Sequence, residues 1–168
     1  MSSLSNQPNF FIVGAAKAGT TSLYHYLAQH PEVYMSPIKE PNFFATDIDH
    51  EAIRPQVKER IRLLNIDQFL KGTMTNGIHR AFIRKQDDYD ALFRFANGKK
   101  AIGEASASYL FSQTAAQEIH KYNPDAKIII LLRNPVQRMY SHYLMDKRMA
   151  VTTLSFEDAL QEDKKNKV

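Results

Sequence analysis

Cysteine is absent from the 168 residues of the chain. This absence excludes disulfide scaffolds, cysteine-ligated zinc or iron–sulfur sites, and cysteine nucleophiles. Long apolar runs are also missing, because the longest, residues 128–132, is far shorter than the roughly 20 residues that cross a bilayer as a helix. Lysine and arginine outnumber aspartate and glutamate by only 22 to 18, an excess too small and scattered to favour a nucleic-acid partner. With no basic and apolar leader at the N-terminus, the sequence predicts a cytoplasmic protein without a membrane span.

The composition and the pattern of elements favour one α/β domain over residues 1–168. Hydrophobic residues make up 43% of the chain and charged residues 24%, which is a globular balance. Short apolar or β-branched runs predict strands at residues 9–13, 33–35, 100–103 and 127–132. Apolar spacing and terminal signals predict helices at residues 20–30, 51–64, 87–96, 114–122 and 136–149. The stretch 65–86 has no clear pattern.

The order of these elements predicts a P-loop-like three-layer sandwich, in which helices flank a central parallel sheet. The run 127–132 (KIIILL) is apolar almost throughout, which is typical of a parallel strand covered on both faces. In such sheets, ligands bind beyond the carboxyl ends of the strands. The segment 14–21 and Arg133 both follow a predicted strand, and we therefore expect them at one edge of the sheet.

The segment 14–21 (GAAKAGTT) has the glycine spacing of a phosphate-binding loop, G-x-x-x-x-G-K-[ST]. The backbone amides of such a loop and the N-terminus of the following helix attract an anion. Thr20 occupies the position at which a nucleoside-triphosphate loop has its lysine, and Lys17 lies inside the loop instead. This arrangement favours a phosphate-like ligand other than a triphosphate. A glycine-containing turn with an exposed lysine is the structural alternative.

Arg133 ends the strand 127–132 at the position where a Walker B strand has an aspartate that helps to bind Mg²⁺. An arginine cannot bind a metal, but it can bind a phosphate through two hydrogen bonds. Ser141, in the following helix, adds a hydroxyl, so Arg133 and Ser141 form a candidate site for a second anionic group. An arginine that pairs with a carboxylate is the alternative. Because the histidines are scattered as well, the sequence predicts no metal site.

Four segments, in this order, resemble the landmarks of sulfotransferases that use 3′-phosphoadenosine 5′-phosphosulfate (PAPS), especially the heparan-sulfate-type and related bacterial enzymes. Residues 10–23 (FFIVGAAKAGTTSL) resemble the 5′-phosphosulfate loop, and residues 129–143 (IILLRNPVQRMYSHY) resemble the 3′-phosphate motif. Residues 36–44 (SPIKEPNFF) and 103–109 (GEASASY) resemble two further landmarks. Members of this family usually extend well beyond the length of this chain, so the resemblance implies the N-terminal part of a longer domain.

The resemblance implies an enzyme that transfers the sulfuryl group of PAPS to a hydroxyl or amine of a small-molecule or carbohydrate acceptor. The product of the donor is adenosine 3′,5′-bisphosphate, and no metal takes part. Lys17 is implied to contact the oxygen between phosphate and sulfate, and Glu40 to be the general base. The implied donor-binding residues are Ala16, Lys17, Ala18, Gly19, Thr20, Thr21, Ser22, Arg133 and Ser141. A loop carboxylate paired with Lys39 or another cation is the alternative for Glu40.

The sequence departs from this family near the acceptor. Asn42 and Ala45 stand where some members carry a histidine and an aspartate, and Ala105 replaces a frequent lysine, so the resemblance does not identify the acceptor. Glu104 is either a second carboxylate of the site or, in the reading we favour, a buried partner of an arginine. A P-loop kinase or nucleotidase is the alternative enzyme, although the displaced lysine and the missing aspartate argue against it. A non-catalytic nucleotide-binding fragment is the third hypothesis.

Overall fold

The computed structural model describes residues 6–48, 59 and 61–165. In this part of the chain, four parallel strands form one sheet in the spatial order β2-β3-β1-β4. The strands are β1 (Phe10–Gly14), β2 (Val33–Met35), β3 (Ala101–Ala105) and β4 (Lys127–Ile130). The helices are α1 (Thr20–Ala28), α2 (Ile66–Lys71), α3 (Gln86–Ala91), α4 (Ala115–Tyr122), α5 (Pro135–Arg148) and α6 (Phe156–Lys165), with a 3-10 turn at Ala107–Leu110. Within the same residues, no helix combines the length and the apolar character that a membrane crossing requires.

Both faces of the central strand β1 are covered by helices. Successive side chains of a strand point to opposite faces, so Phe10 and Ile12 face one side and Phe11 and Val13 the other. The first pair packs with Tyr24 of α1. The second pair belongs to a larger cluster that includes Leu70 of α2, Tyr89 of α3, and Ala115 and Ile119 of α4. With α1 on one face and α2, α3 and α4 on the other, the chain is the predicted α/β sandwich of three layers.

A glycine in β3 lets the ring of Phe10 lie flat against the neighbouring strand. The parallel register pairs Phe10 with Gly103 and Ile12 with Ala105. A Cβ atom at Gly103 would lie only 2.0 Å from Cζ of Phe10, so the ring occupies the space that any side chain would need. This pairing sets the carboxyl ends of β1 and β3 side by side, and the loops that follow them share one edge of the sheet.

The predicted elements that fall within the described residues are present, with ends shifted by up to five residues. The unpatterned stretch 65–86 contains α2, which begins after Asn65, whose side chain accepts a hydrogen bond from the Gln68 amide. The predicted helix 51–64 lies mostly outside the described residues.

The prediction that the strand 127–132 is covered on both faces is wrong. β4 is an edge strand, Ile128 and Ile130 are each 49% exposed, and a groove of about 300 Å³ lies against them.

Candidate active site

The loop between β1 and α1 has the backbone shape that the phosphate-loop motif predicts. Gly14, Lys17 and Gly19 all have positive φ values, of 146°, 64° and 102°. Gly19 is the N-cap of α1 and provides no side-chain hydrogen bond to the helix. The first amides of a helix have no partner within the helix, and here they belong to Thr20, Thr21 and Ser22. The loop therefore presents backbone donors and the positive end of a helix dipole at one point.

Lys17 lies in this loop without a partner for its charge. The residue is half-buried, and within residues 6–48, 59 and 61–165 its ammonium group forms no ion pair or hydrogen bond. Its φ of 64° is in the left-handed region, which a non-glycine residue rarely adopts. A cation held in an uncommon backbone conformation beside helix amides is suited to an anion from outside the chain.

Arg133 meets the same loop from the end of β4. Its Nη1 atom donates to the carbonyl of Lys17 at 3.4 Å. Two backbone hydrogen bonds, between Gly14 and Leu131 and between Ala15 and Leu131, fix the loop to the segment after β4. The two predicted anion-binding motifs are therefore neighbours. In the described part of the chain Arg133 pairs with no carboxylate, which removes the support for the structural alternative.

Ser141 lies on α5, which starts directly after Arg133. The side chain of Asn134 caps this helix by accepting hydrogen bonds from the amides of Val136 and Gln137. Ser141 is half-buried, two turns into the helix. Within the described residues its hydroxyl has no hydrogen-bond partner, so both members of the predicted 3′-phosphate pair have donors available.

Glu40 lies on a loop beside the end of β3 and is held by two cations. Its amide donates to the carbonyl of Ala105 at 2.7 Å. Its Oε1 atom accepts from Lys39 Nζ at 2.9 Å, and its Oε2 atom accepts from Arg80 Nη2 at 2.8 Å and from Nε at 3.1 Å. Burial raises the pKa of Glu40, but the charges and hydrogen bonds of Lys39 and Arg80 outweigh it, so the pKa is lower than usual. Glu40 and Lys17 are on the same edge of the sheet but form no ion pair with each other.

Asn42, which stands where some sulfotransferases have a histidine, fixes the Glu40 loop. It is 2% exposed, and its Nδ2 atom donates to the carbonyls of Glu40 and Ala81 at 2.7 and 2.9 Å. Its Oδ1 atom accepts from the Ser108 hydroxyl at 2.6 Å, and its amide donates to Ser106 Oγ at 3.1 Å. Asn42 therefore has a structural role here, with its side-chain polar groups turned to the protein.

Glu104 is fully buried at the end of β3 and has no arginine partner among the described residues. The prediction that it pairs with an arginine is wrong. Its carboxylate accepts hydrogen bonds from three hydroxyls, those of Ser106 at 2.6 Å, Tyr89 at 2.8 Å and Tyr109 at 2.9 Å. Burial raises the pKa of Glu104 to about 7, against the effect of these hydrogen bonds. Hydroxyl donors satisfy the buried carboxylate without supplying a charge, which is why desolvation dominates.

Arg80 is a residue of the candidate site that the sequence does not predict. It lies in the unpatterned stretch 65–86, forty residues from its partner Glu40. The segment around it is fixed to the Glu40 loop by a run of backbone hydrogen bonds, including Lys39 N to Ile78 O at 2.8 Å and Ala81 N to Glu40 O at 3.1 Å. A lone arginine in an irregular stretch carries no local signal, so only the tertiary pairing of the two segments identifies it.

The fold and the site define an α/β protein with a glycine-containing loop between a strand and a helix and a lysine inside that loop. Among the described residues, no group of three or more histidine, cysteine, aspartate or glutamate side chains is arranged to hold a metal. A sequence model of the sulfotransferase family matches residues 8–166, and the chain therefore belongs to this family.

Relatives of known identity agree with this assignment. A solved sulfotransferase from Alicyclobacillus acidocaldarius is 41% identical, with a TM-score of 0.77 over 95% of this chain and 57% of the other. Human carbohydrate sulfotransferase 15 is 30% identical over 82% of this chain and 27% of its own length. Mouse heparan sulfate glucosamine 3-O-sulfotransferase 6 is 28% identical over 81% of this chain and 30% of its own length. The chain thus spans under a third of these two proteins and just over half of the bacterial one.

Proposed function

We propose that the chain contains the donor-binding site and the catalytic base of a PAPS-dependent sulfotransferase. The observation that carries the proposal is Lys17, whose ammonium has no ion-pair partner among the described residues. It lies inside the loop that leads into α1, with the Arg133 guanidinium against the carbonyl of the same residue. The family assignment supports sulfuryl transfer. The position of the lysine supports a phosphosulfate in preference to a triphosphate, whose loop has its lysine at the place of Thr20.

The residues of the loop suit the two anionic ends of the donor. The amides of residues 19–22, the hydroxyls of Thr21 and Ser22, and the neighbouring Ala16 and Ala18 would surround the 5′-phosphosulfate. Arg133 and Ser141 would bind the 3′-phosphate, since a guanidinium and a hydroxyl are both strong donors to phosphate oxygens. When bound, the donor supplies an activated sulfuryl group.

The side chains at the sheet edge provide the remaining chemistry. The acceptor oxygen or nitrogen forms a bond to sulfur while the bond from sulfur to the bridging oxygen breaks and its electron pair stays on the phosphate. Lys17 stabilises the charge that grows on this leaving oxygen, which lowers the energy of the transition state more than that of the ground state. Glu40 receives the proton of the acceptor. The products are the sulfated acceptor and adenosine 3′,5′-bisphosphate.

A carbohydrate hydroxyl or amine is the acceptor class that we propose. The support comes from the relatives, whose names specify carbohydrate and heparan sulfate glucosamine as their substrates. Asn42 and Ala45, which stand where some family members carry a histidine and an aspartate, are buried in this chain.

Competitive titration by calorimetry tests the donor assignment. Adenosine 3′,5′-bisphosphate should bind to the chain, whereas ATP with Mg²⁺ should bind much more weakly, because no lysine follows Gly19. Tighter binding of ATP with Mg²⁺ would refute the sulfotransferase site and favour a P-loop kinase. A turnover assay with PAPS in the presence of a chelator then separates an enzyme from a non-catalytic nucleotide-binding fragment, and we expect activity to persist without divalent metal.

A further inference from the structure

The two cations that hold Glu40 differ in their access to solvent. The Lys39 side chain is 4% exposed and the Glu40 side chain 10%, whereas the Arg80 side chain is 42% exposed. A molecule that approaches Glu40 from solvent therefore meets the Arg80 guanidinium and not the Lys39 ammonium. Arg80 is the exposed member of the group, so a change of partner at its guanidinium would not require a side chain to leave a buried position.

Arg80 belongs to a cationic segment, residues 79–85 (HRAFIRK), that contains two arginines, one lysine and no acidic residue. Backbone hydrogen bonds from Ala81 to Glu40 O at 3.1 Å and from Ile83 to Pro41 O at 3.0 Å keep this segment alongside the Glu40 loop. Arg84 Nη1 donates to the carbonyl of Asn42 at 2.6 Å. The backbone of the cationic segment is thus fixed, while among the described residues the guanidinium of Arg80 donates hydrogen bonds to Glu40 alone.

The contact between Arg80 and Glu40 leaves part of the guanidinium unused. Both of its hydrogen bonds end on the same atom, Oε2, so the pair does not have the two-oxygen, two-nitrogen geometry that is strongest for arginine and a carboxylate. A carboxylate or sulfate from solvent can adopt that geometry. If Arg80 turns to it, Lys39 still balances the buried charge of Glu40 through Oε1.

The present arrangement also limits Glu40 as a base. Each of its oxygens already accepts a hydrogen bond from a cation, and both contacts hold its pKa below the usual value despite the opposing effect of burial. Proton transfer is most efficient when the pKa of the base approaches the working pH. Removing Arg80 frees Oε2 and raises the basicity of the Glu40 carboxylate, while Lys39 stays on Oε1.

We propose that Arg80 releases Glu40 in exchange for an oxyanion on the acceptor, so that an acceptor carrying a carboxylate or sulfate near its reacting group frees its own general base. This inference rests on the proposed function and names Arg80 as the residue that determines acceptor specificity. Neutral acceptors do not break the ion pair between Arg80 and Glu40, and they are therefore poor substrates.

Two sugars that differ in one group test the exchange in the 168-residue chain. Methyl β-D-glucuronide carries a carboxylate, and methyl β-D-glucoside is its neutral counterpart. By NMR titration, the glucuronide should bind about ten-fold more tightly than the glucoside, as expected for one charge-assisted hydrogen-bonded contact. With ¹³C-carboxyl glutamate, saturation with the glucuronide should raise the pKa of Glu40, and the glucoside should leave it unchanged.

Variants of the cationic segment provide the controls. Arg80→Gln should abolish the preference for the glucuronide and raise the pKa of Glu40 before any sugar is added, and Arg80→Lys should restore part of the preference. Arg84→Gln removes the same charge from the same segment but no hydrogen bond to Glu40, so the pKa of Glu40 should still respond to the glucuronide. Equal binding of the two sugars to the wild type, or an unchanged pKa of Glu40 at saturation, would overturn the exchange.

These measurements require no sulfuryl transfer. A chain that binds adenosine 3′,5′-bisphosphate but shows no exchange refutes the role of Arg80 and leaves the proposed function intact. A chain that shows the exchange but does not bind the bisphosphate refutes the proposed function, and Arg80 then belongs to an anion-binding site of another kind.

Discussion

At the scale of single residues, Lys17 differs from Lys39, because no acidic side chain among the described residues pairs with the charge of Lys17. Replacing Lys17 by alanine should therefore cost little stability but much activity. We expect kcat to fall by about 10²–10³, the usual cost of removing one group that stabilises transition-state charge, with a smaller change in the affinity for adenosine 3′,5′-bisphosphate. Steady-state kinetics with calorimetry on the same variant measure both quantities. A loss confined to nucleotide affinity would assign Lys17 to ground-state binding.

Arg133 should distinguish nucleotides by their 3′-phosphate. Its guanidinium lies at the phosphate loop and pairs with no carboxylate in the described residues, so its hydrogen bonds are available to a ligand. Arg133→Ala removes a charged hydrogen bond worth about 1.5–3 kcal/mol, and the Kd of adenosine 3′,5′-bisphosphate should rise roughly ten-fold or more. Adenosine 5′-monophosphate is the matched control and should lose much less. Equal losses of affinity for the two nucleotides would show that Arg133 does not contact the 3′-phosphate.

Substitution of Glu40 should lower turnover without changing the affinity for the donor nucleotide. Glu40→Gln keeps the shape of the side chain but cannot take a proton, so we expect kcat to fall by about 10²–10⁴ while the affinity for the bisphosphate stays the same. The rate of the wild type should fall as the pH drops through the pKa of Glu40, since the base must be ionised. This acidic limb should vanish in Glu40→Gln and persist in Lys17→Ala. Full activity of Glu40→Gln would give its carboxylate a purely structural role.

The residues that the sequence predicts and those that it misses differ in how far apart their partners are. Lys17 lies in a motif of eight residues whose glycine spacing is visible locally, and Arg133 follows an unmistakable apolar run. Arg80 has no such context, because its partner Glu40 is forty positions away and the pairing depends on how two irregular segments meet. Of the hydroxyl donors of Glu104, Tyr89 on α3 is fifteen positions away, so this pairing depends on tertiary packing in the same way. Ser106 and Tyr109 follow Glu104 by two and five residues, and nothing in the local sequence marks them as its partners.

At the scale of elements, the close approach of β1 and β3 depends on Gly103. The Phe10 ring fills the space beside the Cα of Gly103. A shift of either strand would disturb the phosphate loop, which follows β1, or the Glu40 loop, which follows β2 and is hydrogen-bonded to Ala105 at the end of β3. Gly103→Ala should therefore lower the free energy of unfolding by about 1–3 kcal/mol, the range for overpacking a tight contact. Urea denaturation measures the change. Gly72→Ala is the control, because a Cβ there meets nothing closer than 3.4 Å, and a loss of similar size in both variants would contradict this account.

Two elements carry clear signals in the sequence, and both are present. β1 is marked by a buried apolar run, and α5, which has no buried residue, is marked at its start by Asn134 and Pro135. α2 is missed because its six residues are too few for a period of 3.6 to stand out. The position of β4 is predicted correctly, but its environment is not. An apolar run predicts a strand that is covered on both faces, whereas Ile128 and Ile130 face an open groove. The apolar sequence of β4 shows that the strand is hydrophobic but does not specify which elements pack on it.

At the scale of the whole molecule, a buried polar network joins the core to the loop that carries Glu40. Glu104 accepts hydrogen bonds from Ser106 and Tyr109, and these hydroxyls accept in turn from the amides of Asn42 at 3.1 Å and Phe44 at 3.3 Å. The conformation of the Glu40 loop is thus tied to a carboxyl group in the interior. Buried networks of this kind fix one arrangement when every member is satisfied, and no buried side-chain polar atom of the described residues lacks a partner.

The pH dependence of the free energy of unfolding should depend on the protonation of Glu104 in this network. Burial raises the pKa of Glu104 from its ordinary 4.5 to about 7, so between these values the folded chain binds more protons than the unfolded chain. The free energy of unfolding should then fall as the pH rises through this window, by an amount on the order of 3 kcal/mol, and level off above it. Urea denaturation at a series of pH values measures the slope.

Two variants separate Glu104 from the other carboxyl groups in this measurement. Glu104→Gln cannot ionise and should remove this part of the slope, whereas Glu157→Gln, at an exposed position on α6, should leave it in place. A ¹³C titration of the Glu104 carboxyl in the wild type provides a second reading that does not depend on how well the variant folds. A pKa near 4.5 in that titration would mean that the three hydroxyl donors offset the cost of burial. Glu104 would then be ionised at neutral pH and would stabilise the Glu40 loop as an anion.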